Sequence, residues 1–291
     1  MESSSSNKRY SGRVFGLQEI EQVRDIIRAH PKASRQQLSY RVCEAFDWRK
    51  NDGSLKDMSC RVALLRMHRE GLIELPVPQH KVNPCRSFAR RTQQAEPWGL
   101  LEASVHELEG LRLEVVDRKS SALWNETIDR YHYLGYKPLP GAQLRYFAYA
   151  GDRLVGVLGF GAAAWKTGPR DQWIGWNAEQ RQRNLALIIN NARFLIPPWI
   201  RVKGLASKLL AIAARRLAAD WAGRYGYRPV LLETFVEAER FAGTCYRAAN
   251  WTCVGHTQGR GKLGDHRLGQ VPIKTVWVYP LARDFREQLC R

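Results

Sequence analysis

Glu126, Asp129 and His132 recur at three-residue steps, and a carboxylate pair with an imidazole can bind a divalent cation. On a helix each step falls about 60° short of a full turn, so the trio fans across roughly 120° of the surface. Neighbours in the row can meet, and such a face suits metal-assisted phosphodiester cleavage. A solvated face is the plainer reading, so no metal is predicted. Glu233 and Glu237 stand at or just past the end of an apolar run, where catalytic acids are often placed. Glu233 alternates with Leu232 and Thr234, so it is equally read as an outward-pointing, salt-bridged acid. Glu233 and His132 are kept as candidate catalytic groups.

A second set of residues suits binding to a polyanion. Trp165, Trp173 and Trp176 lie among Lys166, Arg170, Arg181 and Arg183. Aromatic faces interleaved with cations fit single-stranded or distorted DNA. Tyr131, Tyr133 and Tyr136 can stack on unpaired bases or fill a core. The segment 255–269 carries Arg260, Lys262, His266 and Arg267, which suit phosphates. Nearer the start, Arg61, Arg66 and Arg69 project from one predicted helix, with Lys56 and Arg41 close by. A recognition helix needs such side chains for phosphates and guanine edges. The same arginines would be merely solvated on a protein-binding module.

Charge supports the binding reading. The 291 residues carry a formal net charge of +18. Basic residues outnumber acidic ones 18 to 11 over residues 1–97 and 28 to 17 over 98–291, so the excess is not a tail. Such a surface attracts polyanions, nucleic acid first. The six cysteines include no C-x-x-C pair, which argues against a zinc finger. The first ten residues contain no apolar core of a signal peptide. With no uninterrupted apolar stretch of about 18 residues, nothing is expected to span a membrane. A reducing cytoplasm is the expected compartment.

These residues need elements to hold them. Residues 1–12 are Ser-rich and read as a disordered tail. Residues 13–76 read as a winged-helix-like module, with a helix of about 17–29 and a second that opens on the capping pair Ser34 and Gln37. The third is capped by Asp57 and closed by Gly71, and Leu72–Leu75 reads as a short strand. Residues 77–98 read as a basic linker, and 99–291 as a larger α/β domain. In that domain 111–116 is an alternating strand and 120–135 a helix. Residues 144–149 and 154–160 form a hairpin around Gly151-Asp152. Helices of about 177–189, 205–222 and 237–249 alternate with strands at 192–196, 230–236, 252–255 and 274–279.

That succession resembles the GNAT acetyltransferase fold. Arg201-Val202-Lys203-Gly204-Leu205-Ala206 before the long helix is similar to the superfamily's pyrophosphate turn, Arg/Gln-x-x-Gly-x-Gly/Ala. Backbone N–H groups at a helix N-terminus cradle phosphate oxygens, so Arg201, Lys203, Gly204 and Ala206 form a candidate phosphate-binding turn. Cys245 to Trp251 resembles the Tyr-x-x-x-Gly-Phe segment, with Asn250-Trp251 in place of Gly-Phe. The resemblance makes Tyr246 a candidate proton donor to a departing thiolate, and acetyl-coenzyme A an alternative cofactor. No cofactor is predicted.

Several whole segments resemble the DruA-like family, found in Druantia anti-phage systems and in mobile-element proteins. They include Lys56–Arg61, Tyr131–Tyr136, Trp173–Trp176, Asn190–Ile196, Leu232–Val236 and Gly243–Trp251. The resemblance implies recognition or processing of foreign or mobile DNA, as duplex plus a distorted or unpaired segment, beside other defence proteins. An acetyltransferase, or an adaptor that recruits a helicase or nuclease, are the competing expectations.

Overall fold

Apolar residues at helical spacing become three helices in the first of the chain's two units, residues 1–86; residues 87–291 form the second. The computed structural model describes residues 7–51, 53–77, 91–259 and 271–291. Strands β1 (Lys8–Tyr10) and β2 (Arg13–Phe15) pair as a hairpin. Ser11 and Gly12 at its turn both have positive φ, which matches the twist of two strands. Then come α1 (Leu17–Ala29), α2 (Arg35–Ala45) and α3 (Asp57–Arg69). At the start of α2 the Ser34 hydroxyl accepts from Gln37 N–H while Gln37 Oε1 accepts from Ser34 N–H. Val23, Leu38, Val42, Leu64 and Met67 bury one shared core together with Tyr10 and Phe15.

Three expectations change here. Lys8–Tyr10, expected to be part of a disordered tail, form a strand, because Tyr10 and Phe15 give the hairpin an apolar anchor. The expected strand at Leu72–Leu75 is not one: Leu75 N–H donates to His68 Nδ1 rather than to a neighbouring strand. Asp57 does not cap α3; it sits in the first turn, with Lys56 at the cap, and pairs with Arg61 at 2.7 Å. The unit therefore has three helices and a hairpin that precedes them, and its described residues place no strand after α3.

The second unit runs β3 (Leu101–Ser104), β4 (Arg112–Val115), α4 (Ser121–Tyr131), β5 (Gln143–Ala150), β6 (Arg153–Ala162), α5 (Gly168–Ile174), α6 (Ala178–Asn184), β7 (Ile188–Leu195), β8 (Ile200–Lys203), α7 (Leu205–Tyr225), β9 (Leu231–Glu237), α8 (Thr244–Ala248), β10 (Thr252–His256), β11 (Lys274–Pro280) and α9 (Phe285–Leu289). Seven strands form a mixed sheet in the order β10-β11-β9-β7-β6-β5-β4. Only β7 and β9 are parallel neighbours in it. This is an α/β architecture with a mixed sheet, as the sequence implies. A separate parallel pair joins β3 to β8.

Helix α7 covers one face, burying Leu205, Leu209, Leu210, Leu217 and Trp221 against Tyr146, Leu158, Phe160, Ile189 and Leu232. Helix α4 covers the other, with Trp124 and Ile128 on Phe147 and Val157. Gly159 makes that second contact possible, since a Cβ there would lie 2.9 Å from the Trp124 ring. The end of the expected linker belongs to this unit: Thr92 donates its N–H and its hydroxyl to Glu126, and the Tyr131 hydroxyl donates to Ala95 O. No helix among the described residues is long and apolar enough to cross a membrane.

Candidate nucleic-acid interface

The sheet opens where its two parallel strands part. β7 and β9 pair only over Ile188–Asn190 and Leu231–Glu233. Just beyond, β7 carries one extra residue: Phe160 pairs with Asn191 and Gly159 with Arg193, so Ala192 is bulged. A bulge bends its strand and re-aims the following side chain. Arg193 is thereby turned to the α4 face, its Cβ beside Gly159 and Trp124. Side chains bridge the gap in place of a backbone ladder. Buried Asn191 accepts from the Tyr246 hydroxyl at 2.9 Å, and its backbone oxygen accepts from Thr234 Oγ1 at 3.0 Å. These bonds close the opening from the α7 side.

On the α4 side the opening holds a cluster of cations and rings. The helix stops at Tyr131, and Leu134 N–H donates to His132 Nδ1 at 3.2 Å. The His132 ring stacks on Tyr133 with centroids 4.9 Å apart. Tyr133, 37% exposed, meets Phe241, 47% exposed, at 5.4 Å. The Arg240 guanidinium lies 4.5 Å from the Tyr133 centroid, within cation–π range. Arg193 donates through Nη1 to Ala192 O, while its Nε is buried with no partner. No carboxylate among the described residues pairs with it. Burial, and then the charge of Arg193, push the His132 imidazole down to about 4. Burial also lowers Arg193, and burial followed by Glu237 raises Tyr133. At neutral pH the opening thus combines a neutral imidazole with two guanidinium groups and one carboxylate.

The other sequence candidates fall elsewhere, and several are corrected. Arg170 is not a DNA contact. Its side chain is 0% exposed and donates to Glu233 Oε2 at 2.7 Å and to Asp171 Oδ1. Glu233, also 0% exposed, accepts from Ala164 N–H as well, so it is an internal tie and not an open acid. Burial pushes its carboxyl up, against the pull of Arg170. Trp176 is buried and donates to Asp171. Trp173 stacks on Phe285 at 5.1 Å under Arg286. Arg183 donates to the carbonyl of Arg291. Arg181 lies 3.6 Å from Asp171 and reaches over exposed Trp165. Of that cluster, Trp165 and Lys166 are exposed.

Tyr246 is buried, its hydroxyl already bonded to Asn191, and burial raises its pKa. It ties α8 to β7 and does not present a proton to an open cleft. Asn250, where the GNAT pattern has Gly, adopts φ +62°, the left-handed geometry Gly would supply. In the candidate phosphate turn, Arg201 pairs with Glu102 of β3 at 3.3 Å, and Lys203 is exposed. Gly204 has φ +82° with its open side against Val105. Ala206 lies in the first turn of α7. Strand β3 thus lies beside the turn, and the Tyr246 ring packs against Phe194, Trp251 and Trp277 in the core.

The two carboxylates of the Glu126, Asp129 and His132 row are also spent on structure. Glu126 holds Thr92 and Arg130, and Asp129 accepts from Tyr136 N–H. Among the described residues no group of three or more His, Cys, Asp or Glu is placed to hold a metal ion. In the first unit Arg66 and Arg69 are exposed on α3, with Lys56 at its cap. Arg260 and Lys262, like His266 and Arg267, lie outside the described residues. The sequence reading did not single out Arg193, Arg240 or Phe241. The sequence marks 192–196 as a strand and Asn190–Ile196 as a resemblance, and 240–241 as helix.

Solved structures of similar shape are acetyltransferases. YncA, a putative acetyltransferase from Salmonella typhimurium with acetyl-CoA, is 13% identical, with 60% of this chain and 96% of that one covered and a TM-score of 0.39. A GNAT-family acetyltransferase from Streptococcus pneumoniae is 13% identical over 59% and 99%, at 0.38. An N-acetyltransferase from Staphylococcus aureus Mu50 is 10% identical over 59% and 97%, at 0.35. No curated protein matches the chain in sequence. The family model described as Druantia protein DruA matches residues 66–270, a span that takes in α4, the bulged strand, the buried Arg170–Glu233 tie and α8. By that match, over most of its length, the chain belongs to the DruA family.

Proposed function

We propose that this DruA-family chain is a DNA-binding component of an anti-phage or mobile-element system. In this reading α3 engages duplex, and the opening between β7 and β9 takes an unpaired segment. One observation carries it: Tyr133, Arg240 and Phe241 stand together, ring and guanidinium exposed, beside Arg193, which has no acidic partner among the described residues. Exposed rings give unpaired bases a surface to stack on, and guanidinium groups add phosphate and cation–π contacts. The net charge of +18 supplies the long-range attraction.

The test is binding of a single-stranded oligonucleotide by the full chain. Phe241→Ala and Arg240→Ala should each weaken it by ~1–3 kcal/mol, the usual worth of one stacked base. Melting temperatures should stay near that of the parent, because both side chains are on the surface. Acetyl-coenzyme A is the contrasting ligand. A bound ligand at a hundredfold excess over its dissociation constant stabilises a fold by ~2.7 kcal/mol. No such gain is expected, and a clear gain that Gly204→Val removes would put acetyl transfer first.

A further inference from the structure

We propose that Arg193 and the Nε2–H of His132 together hold one phosphate group in the opening between β7 and β9. The proposal rests on the DNA reading for the source of that phosphate, and on the geometry below for the anchor itself.

Arg193 is the unusual member of the opening. It is half-buried on the bulged strand, and its guanidinium makes one bond, to the carbonyl of its own neighbour. Its Nε is sealed from solvent with no acceptor. A buried cation without a paired anion is costly, and structures retain one where a ligand supplies the missing charge. Guanidinium presents a planar fork of donors that matches the oxygens of a phosphate.

His132 adds a donor without adding charge. Leu134 N–H donates to its Nδ1, so the ring proton is on Nε2. Protonating Nδ1 would set two donors against each other in the turn after α4. The low pKa of the ring agrees with this assignment. Among the described residues nothing accepts from Nε2. The charge acting on the ring itself is Arg193 from β7; Glu237 at the end of β9 and Arg240 beyond it surround Tyr133, which stacks on the ring. Glu237 is the one acid in that set, and two guanidinium groups outweigh it.

The opening also selects the form of its guest. It lies between two strands of one sheet and is closed behind by the Tyr246–Asn191 bond. A single chain can enter such a notch, whereas a double helix keeps its bases stacked inside. The phosphate therefore belongs to an unpaired strand, with an adjacent base on the outer face of Phe241.

The experiment compares the parent with Arg193→Ala, Arg193→Lys, His132→Ala and His132→Gln, all as full chains with melting temperatures recorded. The probes are a single-stranded oligothymidylate over a salt series and millimolar inorganic phosphate. Losing one phosphate contact on a single strand should reduce the slope of log affinity against log salt by about 0.7. That reduction is expected in Arg193→Ala, with at least about a tenfold loss of affinity at low salt. Arg193→Lys should restore the slope and only part of the affinity, because Lys lacks the fork. His132→Gln, whose amide N–H can stand in for Nε2–H, should bind better than His132→Ala. If the parent binds the oligonucleotide and Arg193→Ala matches it in affinity and slope, the anchor is wrong. If the parent binds no oligonucleotide but phosphate raises its melting temperature more than that of Arg193→Ala, the anchor stands and the DNA reading falls. If neither probe separates the two proteins, the anchor falls with it.

Discussion

At the scale of single residues, the chain shows how little a charge's identity says about its task. Arg170 and Arg193 are both arginines of the second unit. Arg170 has Glu233 and Asp171 against it and is structural; Arg193 has no carboxylate partner among the described residues and faces an opening. Composition cannot separate them, because the partner of Arg170 is 63 positions away in sequence. His132 carries a pH signature of its environment. Its pKa in the folded state, about 4, lies below its ordinary value of 6.5, so the unfolded chain binds the proton more readily. Its contribution to stability is complete above about pH 6.5 and is lost as pH falls toward 4. Thermal unfolding of the parent and of His132→Gln across that range checks this. The parent should lose melting temperature more steeply on acidification, and parallel curves would show that His132 does not titrate as argued.

At the scale of elements, periodicity was legible and terminations were less so. The start of α7 at Leu205, the hairpin of β5 and β6, and the Ser34 cap of α2 stand where spacing and capping residues put them. The strand expected at 192–196 begins at Ile188, because its parallel pairing with β9 uses the residues before the bulge. The helix expected at 237–249 shrinks to Thr244–Ala248, and its lost part becomes the turn that carries Arg240 and Phe241. No local pattern marks such a turn, since what it serves is the parting of two strands distant in sequence. Helix α3 has an outward stripe of Met58, Val62, Arg66 and Arg69. Arg61 is off that stripe and held by Asp57. Arg66→Ala should therefore weaken duplex binding more than Arg61→Ala, by ~1–3 kcal/mol if it reads a base edge. Equal and negligible effects in a duplex titration would assign the stripe to a protein partner.

At the scale of the whole molecule, charge is the property most directly readable from sequence. An excess of 18 positive charges shared by both units predicts a polyelectrolyte response. With roughly 6–10 phosphate contacts, duplex affinity should fall about 10³–10⁵-fold between 50 and 200 mM salt. A dissociation constant that stays flat over that range would remove nucleic acid as the partner of this surface. The family was legible as well, through segments rather than single motifs, and the match over residues 66–270 agrees. The opening between β7 and β9 was not, because it is made by a bulge, a side-chain bridge and a shortened helix acting at one place.

The parallel pair of β3 and β8 also sets an order of events. Leu101 meets Ile200, and Ser104 meets Lys203, across 99 residues of chain. Ribosomes add about 5–20 residues per second, so β3 is made roughly 5–20 s before its partner exists. During that interval its strand edge is unpaired and free to join another chain. A chain cut to begin after Val105 would lack β3, and so leave Arg201 without Glu102 and the edge of β8 uncovered.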